Sequence, residues 1–392
     1  MSRQDYGSGT IKERAPGRWQ VSAEAGRDPQ THRRRRRRFT VAGTRKDALR
    51  ALREAQQQRD HGIAVTPDRI SVGEWLTGWL ERHRAEGHIN PRTHDRYRQI
   101  IRSHLVPGLG QLRLQALRAD HIADLKARWL SGKDSTAAGP LAGGTVHKHL
   151  VVLRRGLADA VKASIIIRNP MDAVSAPSAR GREERRALTE EEIPALLGAA
   201  IGTRFDAPIR FTLATGLREG ELLALKWEDV DWEAGTVAIR RTLAYIDGKT
   251  VFGAPKTEHS RRTIELSAAT VQLLRSHRAA QATHRLRLGP IWREHGLVFP
   301  SLLGTPWLAR TFYRDYRAIV DRSGIEGAAS VNWHTLRHTA ATQWLRHGAD
   351  VFSVSRRLGH ASASFTMDCY GHLLKGQQRQ AAEALDHLLA QA

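Results

Sequence analysis

The hydrophobic period changes partway along this chain. RWQVSAEA, residues 18–25, alternates apolar Trp19, Val21 and Ala23 with polar Gln20, Ser22 and Glu24. Period two marks a half-buried strand. SVGEWLTGWLERH, residues 71–83, instead places Trp75, Leu76, Trp79 and Leu80 at helical spacing, behind a Ser71/Glu74 capping box. No regular element carries both periods, so the chain must divide into units of different architecture.

The first unit is read as residues 1–65. GTIKE and RRFTVAG flank the alternating strand, and TRKDALRALREAQQQRD (44–60) is helical, with Ala48, Leu49, Leu52 and Ala55 on one side. A small three-stranded sheet with one helix is expected. The second unit, 70–175, reads as a bundle of helices over 71–83, 92–107, 119–130 and 145–163. The Trp75/Trp79 stripe is read as its core. Residues 176–187 are linker by composition. The third unit, 188–392, starts behind a second capping box, Thr189 and Glu192. It has a helix pair entered through Gly216 and two or three short strands between 236 and 266, with turns at Asp247-Gly248 and at 253–260. Helices dominate after Ser267. The fold class is mainly α with small β-sheets (α+β), and no repeat of 20 to 50 residues is visible.

Charge narrows the partners. Sixty-two Lys and Arg face 40 Asp and Glu, a net charge of +22, which concentrates polyanions and above all nucleic acid. A single Cys excludes an internal disulfide framework. The N-terminus lacks the apolar core of a signal peptide, and no stretch reaches the ~18 apolar residues of a membrane span. A soluble, cytoplasmic protein with no membrane partner is expected. Residues 1–65 hold 16 Lys and Arg against 7 Asp and Glu, net +9. Among them run Arg33, Arg34, Arg35, Arg36, Arg37 and Arg38. Such a run can be a solvated surface, a targeting signal or a basic hairpin edge that grips phosphates; its direct entry into the strand-like FTV weighs against the targeting signal, and the edge is the favoured reading.

Several chemistries fail on spacing. Gly248-Lys249-Thr250 lacks the earlier glycine of a phosphate loop, since Leu243 stands there. Gly108 and Gly110 lack a third glycine, with Arg113 in its place. His334 and His338 are four apart, but Thr335 follows His334 where a zinc-protease helix has glutamate. No carboxylate cluster suggests magnesium, and neither metal nor cofactor is expected. Cys369 has no base fixed against it.

A scattered basic set remains: Arg218, Lys256, His334, Arg337, His360 and then Tyr370. Singly, each has a plain structural reading, such as an Arg218 ion pair with Glu219 or Glu221. Together they suit one reaction. A phosphodiester under attack gathers negative charge on its non-bridging oxygens, which guanidiniums clamp bidentately. Histidines add hydrogen bonds and move protons near neutral pH. A lysine can protonate a departing alkoxide, and a phenol among cations can act as nucleophile.

ATGLREGELLALKWEDVD (214–231), HTLRHTAATQWLRHGADVFSVSRRLGH (334–360) and the Tyr370-Gly371-His372 tail carry a resemblance. The chain resembles the tyrosine recombinases, and the phage-type or mobile-element integrases in particular, closely over about 185–375. That resemblance implies a catalytic domain after the linker, a helical core-binding domain before it, and an arm-type DNA-binding domain in residues 1–65. It implies Tyr370 as nucleophile, with Arg218 and Arg337 on the scissile phosphate. His334 would accept or relay the tyrosine proton, and His360 would hydrogen-bond a phosphate oxygen. Lys256, with Lys249 as its rival, would be the general acid, and Glu221 would orient Arg218. It further implies a homotetramer on double-stranded DNA with core-type and arm-type sites. Accessory DNA-bending and directionality proteins are the further partners it suggests, in a bacterial nucleoid-associated setting. A type IB-like topoisomerase and a non-catalytic DNA-binding regulator are the rival functions.

Overall fold

The computed structural model describes residues 9–27, 34–60, 70–133, 139–177, 186–246, 248–255 and 258–371. It forms two compact units, Met1–Gly181 and Arg182–Ala392.

In the first unit, β1 (Thr10–Ala15), β2 (Arg18–Arg27) and β3 (Arg34–Ala42) form an antiparallel sheet in that order. Val21 pairs with Ile11 on one side and Phe39 on the other. The alternation puts Val21 and Ala23 on the buried face, where they meet Ala48, Leu52 and Ala55 of α1 (Arg45–Asp60) in one apolar cluster. Arg34 to Arg38 lie on the edge strand β3, with Arg36 and Arg38 exposed, while Arg33 falls outside the described residues.

The helical part of this unit has its own core. α2 (Val72–Ala85) starts at Ser71, which exchanges hydrogen bonds with Glu74 as its spacing predicts. Trp75 and Trp79 are buried, and their indole N–H groups donate to the Gly156 carbonyl at 2.7 Å and to Asp159 at 2.8 Å. Both acceptors belong to α6 (Gly143–Lys162). The helix expected over 92–107 is instead three pieces: α3 (Pro91–Ile100), a π-helical turn (Ile101–Leu105) and α4 (Val106–Leu109). Pro107 has no N–H to donate back along the helix, and Val106 N–H reaches Ile101 O, five residues back. α5 (Ala119–Ser131) completes this core through Ile122, Leu125 and Trp129.

The second unit opens with Arg186, at the end of the stretch read as linker. Its guanidinium donates to the carbonyls of Glu326 and Gly327 and pairs with Glu192. Thr189 and Glu192 exchange hydrogen bonds at the start of α7 (Glu192–Ala200). α8 (Asp206–Thr215) and the short α9 (Glu219–Leu223) follow. The next stretch holds more strands than the two or three expected. β4 (Val230–Asp231), β5 (Thr236–Ile239) and β8 (Arg262–Glu265) form one antiparallel sheet, and β6 (Thr242–Ile246) and β7 (Lys249–Gly253) a separate hairpin. Then come α10 (Ala268–Leu288), α11 (Ala309–Arg322), α12 (Trp333–Arg346), α13 (Val351–Leu358) and α14 (Ala363–Tyr370). Phe205, Trp307, Phe312 and Trp333 pack ring against ring in the core. Ten of the fourteen residues of α12 are buried, so this helix runs through the interior and carries Arg337 and His338 inward. Among the described residues no helix is long and apolar enough to cross a membrane.

Candidate active site

The site is assembled around the end of α13. A helix leaves its last carbonyls without helical partners, and they carry the negative end of its dipole. Here the carbonyls of Arg357, Leu358 and Gly359 each receive a guanidinium. Arg262 Nε donates to Arg357 O at 2.7 Å, Arg337 Nη2 to Leu358 O at 2.8 Å and Arg218 Nη2 to Gly359 O at 3.1 Å. Gly359 sits at φ +66°, and a Cβ there would stand 2.9 Å from Arg262 Nη1 and 3.1 Å from the His259 carbonyl. The glycine of the LGH segment thus gives the arginines room to reach these carbonyls.

A second glycine turn supplies the other side. Gly216 ends α8 at φ +66°, and its would-be Cβ would meet Leu358 at 2.7 Å and Trp344 at 3.0 Å. Its carbonyl accepts from Arg337 Nη1 at 2.7 Å. Two residues on, Arg218 caps the start of α9 in extended backbone, and its N–H donates to Glu221.

Glu221 is 3% exposed and lies between two cations. Arg218 Nη1 donates to Oε1 at 2.8 Å and Arg262 Nη2 to Oε2 at 3.0 Å. Burial pushes this carboxyl upward, but the guanidiniums of Arg262 and Arg218 together hold it below its ordinary range. Arg337, 2% exposed, is brought down to about 9 by burial and by the like charge of Arg218, with Glu221 acting the other way. It stays a cation at neutral pH. Two guanidiniums therefore share one carboxylate while that of Arg337 is held by backbone carbonyls, and the cluster of three cations and one anion carries net positive charge. An anion of phosphodiester charge offsets it.

Tyr370 is the last residue of α14 and is 4% exposed. Its hydroxyl lies 2.5 Å from Nδ1 of His338, which is itself buried. His334, exposed one turn earlier on α12, stands edge-on to the His338 ring with centroids 4.6 Å apart. His360 follows Gly359, half-buried, with Nδ1 2.8 Å from Thr366 Oγ1.

The structure thus gathers Arg218, Glu221 and Arg337 around the Gly216 and 358–359 carbonyls, with His360 next in the chain. It sets Tyr370, at the end of α14, against α12, the helix that carries Arg337, through the contact with His338. Lys256 lies outside the described residues, and Lys249 is exposed at the start of β7. Three residues escaped the sequence reading. Arg262 is hidden as one more basic residue of RRTIEL. His338 reads in the sequence only as half of a zinc pair that lacks its glutamate. Arg357 looks like a surface residue of SVSRRL, yet its Nη2 donates to Ala214 O and it lies over the Trp344 ring. Among the described residues the one grouping with metal-ligand spacing is His83, Glu86 and His88, in the first unit.

Comparison with known proteins gives the family. Residues 186–377 match the phage integrase family, and residues 71–130 match the phage integrase N-terminal SAM-like domain. The chain belongs to the phage integrase family, the tyrosine recombinases of phages and mobile elements. It is an enzyme of DNA cleavage and rejoining, a site-specific recombinase. An integrase of Streptomyces ambofaciens is 29% identical over 379 residues, covering 94% of this chain and 93% of that one. The Tn1549 transposon integrase, solved in complex with a circular intermediate DNA, superposes with a TM-score of 0.66 at 19% identity over 81% of this chain and 99% of that one. A lambda integrase tetramer bound to a Holliday junction gives a TM-score of 0.54 at 18% identity, covering 90% and 96%. These structural likenesses are of fold.

Proposed function

We propose that this recombinase integrates or excises a mobile element through a 3′-phosphotyrosine intermediate, with Tyr370 as nucleophile. The observation that carries the reading is the cluster of three guanidiniums, two paired with Glu221 and that of Arg337 on the Gly216 and Leu358 carbonyls, on the framework that buries the Tyr370 hydroxyl. The phenol oxygen attacks the scissile phosphorus, the P–O5′ bond breaks, and the 5′-hydroxyl leaves with a proton supplied by Lys256. Arg218 and Arg337 hold the non-bridging oxygens as negative charge grows on them. His360 adds a hydrogen bond to the same oxygens, and Glu221 orients Arg218. The ester bond energy is kept in the phosphotyrosine, so a 5′-hydroxyl from the second duplex rejoins the strand without ATP.

The partners are double-stranded DNA and three further copies of this chain. The Tn1549 and lambda relatives, solved with DNA and the latter as a tetramer on a Holliday junction, support that assembly. Residues 70–175 and 188–392 grip the core site, and residues 1–65 bind arm-type sites. DNA-bending and directionality proteins act with it at the bacterial nucleoid. The test is to mix the protein with two duplexes carrying the ends of its element and the chromosomal target. Recombinant products with a four-way junction intermediate support integration. Relaxation of supercoils without strand exchange would instead make the chain a topoisomerase.

A further inference from the structure

We infer that His338 is the catalytic base that takes the proton of Tyr370, an assignment that rests on reading Tyr370 as the nucleophile. The family resemblance points to His334 for this step, but the geometry puts another imidazole on the reacting atom. The Tyr370 hydroxyl is 2.5 Å from His338 Nδ1, and both residues are buried, at 4% and 7% exposure. A hydroxyl so enclosed has little access to bulk water as a proton acceptor. His334 is exposed and stands edge-on to the His338 ring.

The placement on α12 explains why the two functions come together. Arg337 and His338 are consecutive, so their side chains diverge by about 100° around the helix. Arg337 turns to the carbonyls of Gly216 and Leu358, and His338 to Tyr370. One buried helix thus sets the distance between the phosphate clamp and the base.

The step balances. Neutral His338, protonated on Nε2, offers the lone pair of Nδ1. The phenol O–H bond breaks as the O–P bond forms, and the proton moves to Nδ1. The P–O5′ bond breaks, and the alkoxide takes its proton from the general acid. On rejoining, a 5′-hydroxyl attacks phosphorus and returns its proton to the general acid, the new P–O5′ bond forms, and the tyrosine oxygen leaves phosphorus and regains a proton from His338. No net proton is consumed over cleavage and rejoining.

The experiment is single-turnover formation of the covalent adduct on a nicked suicide substrate. His338→Asn keeps a polar atom near the position of Nδ1 but offers no base. It should bind the core site within about threefold of wild type and cleave roughly 10²–10⁴-fold more slowly. His338→Ala should be rescued by added imidazoles, with a rescued rate that climbs with the basicity of the imidazole. Wild-type cleavage by His338→Asn, or rescue indifferent to basicity, would leave the residue a packing or positioning role and overturn the inference. Should His338→Asn and a second variant, His338→Gln, both fail to melt cooperatively, the residue is assigned to folding and the inference falls. The parent reading fails separately: an adduct that persists in Tyr370→Phe removes Tyr370 as nucleophile whatever His338 does.

Discussion

Glu221 and Arg262 stand 41 residues apart in the chain and meet at 3.0 Å inside the second unit, where both side chains are under one-tenth exposed. That carboxylate pairs with both Arg218 and Arg262, and its charge acts against the positive charge around Arg337. Glu221→Gln keeps the shape and removes the charge. Breaking a buried ion pair costs about 3–5 kcal/mol. At about 2–4 °C per kcal/mol for a unit of this size, the melting temperature should fall by roughly 6–20 °C. A core-site duplex should recover part of the loss, since its phosphates replace the missing charge. An unchanged melt would show that the arginines are held by the backbone carbonyls alone.

Lys256 is tested by changing the leaving group. A poor leaving group needs a proton and a good one does not. Lys256→Ala should slow cleavage of ordinary DNA by about 10²–10⁴-fold, and cleave a substrate with a 5′-bridging sulfur at nearly the wild-type rate. Lys249→Ala should leave both rates unchanged. Equal losses on the two substrates would move Lys256 to phosphate binding, and a selective loss in Lys249→Ala would exchange the two assignments.

The edge strand β3 predicts a second DNA contact. Its exposed Arg36 and Arg38 sit within a segment of net charge +9. Full-length protein should protect both core-type and arm-type sequences in a footprint, with arm protection lost steeply as salt rises. Removing residues 1–65 should abolish arm protection, leave cleavage of an isolated core site intact, and lower recombination that depends on flanking arms through loss of tethering. Identical footprints from the two proteins would make the arginine run a solvated surface.

His149 gives a pH dependence of stability. It is buried, stacked on His104 at 4.3 Å with Trp129 edge-on at 5.2 Å. Burial, then the charges of His104, Arg96 and Lys148, bring its pKa down to about 4 from an unfolded value of 6.5. Between those values the unfolded chain binds a proton that the folded one refuses. Stability from this residue is therefore complete above about pH 6.5 and is lost as pH falls toward 4. Melting curves from pH 7 to 4.5 should show a shallower decline for His149→Leu than for wild type. Parallel declines would mean that His149 takes its proton in the folded state.

How much of this was legible follows from the range of each interaction. Arg218, Arg337, His360 and Tyr370 stand in short motifs whose spacing survives in the chain, so they could be read directly. The Trp75/Trp79 stripe and both capping boxes depend on neighbours within one or two turns and were readable for the same reason. His338 was not, because its partner lies 32 residues away and a buried helix histidine has no local signature. Arg262 is a basic residue in a basic strand until Glu221 is folded against it. The anchoring carbonyls of residues 357–359 are backbone atoms, which no pattern of side chains reveals. The π turn at 101–105 hides in a sequence with good helical periodicity, since only Pro107 disturbs it.

The central claim is that Tyr370 becomes covalently joined to DNA, and one measurement addresses it. Wild-type protein and Tyr370→Phe are incubated with a nicked suicide substrate carrying the core site, and the products are boiled in detergent and resolved by size. The account predicts a boiling-resistant adduct with wild type, mapping by peptide mass to Tyr370, and none with Tyr370→Phe despite equal binding of the duplex. An adduct of the same yield with Tyr370→Phe, or a DNA-linked peptide that excludes residue 370, would contradict it.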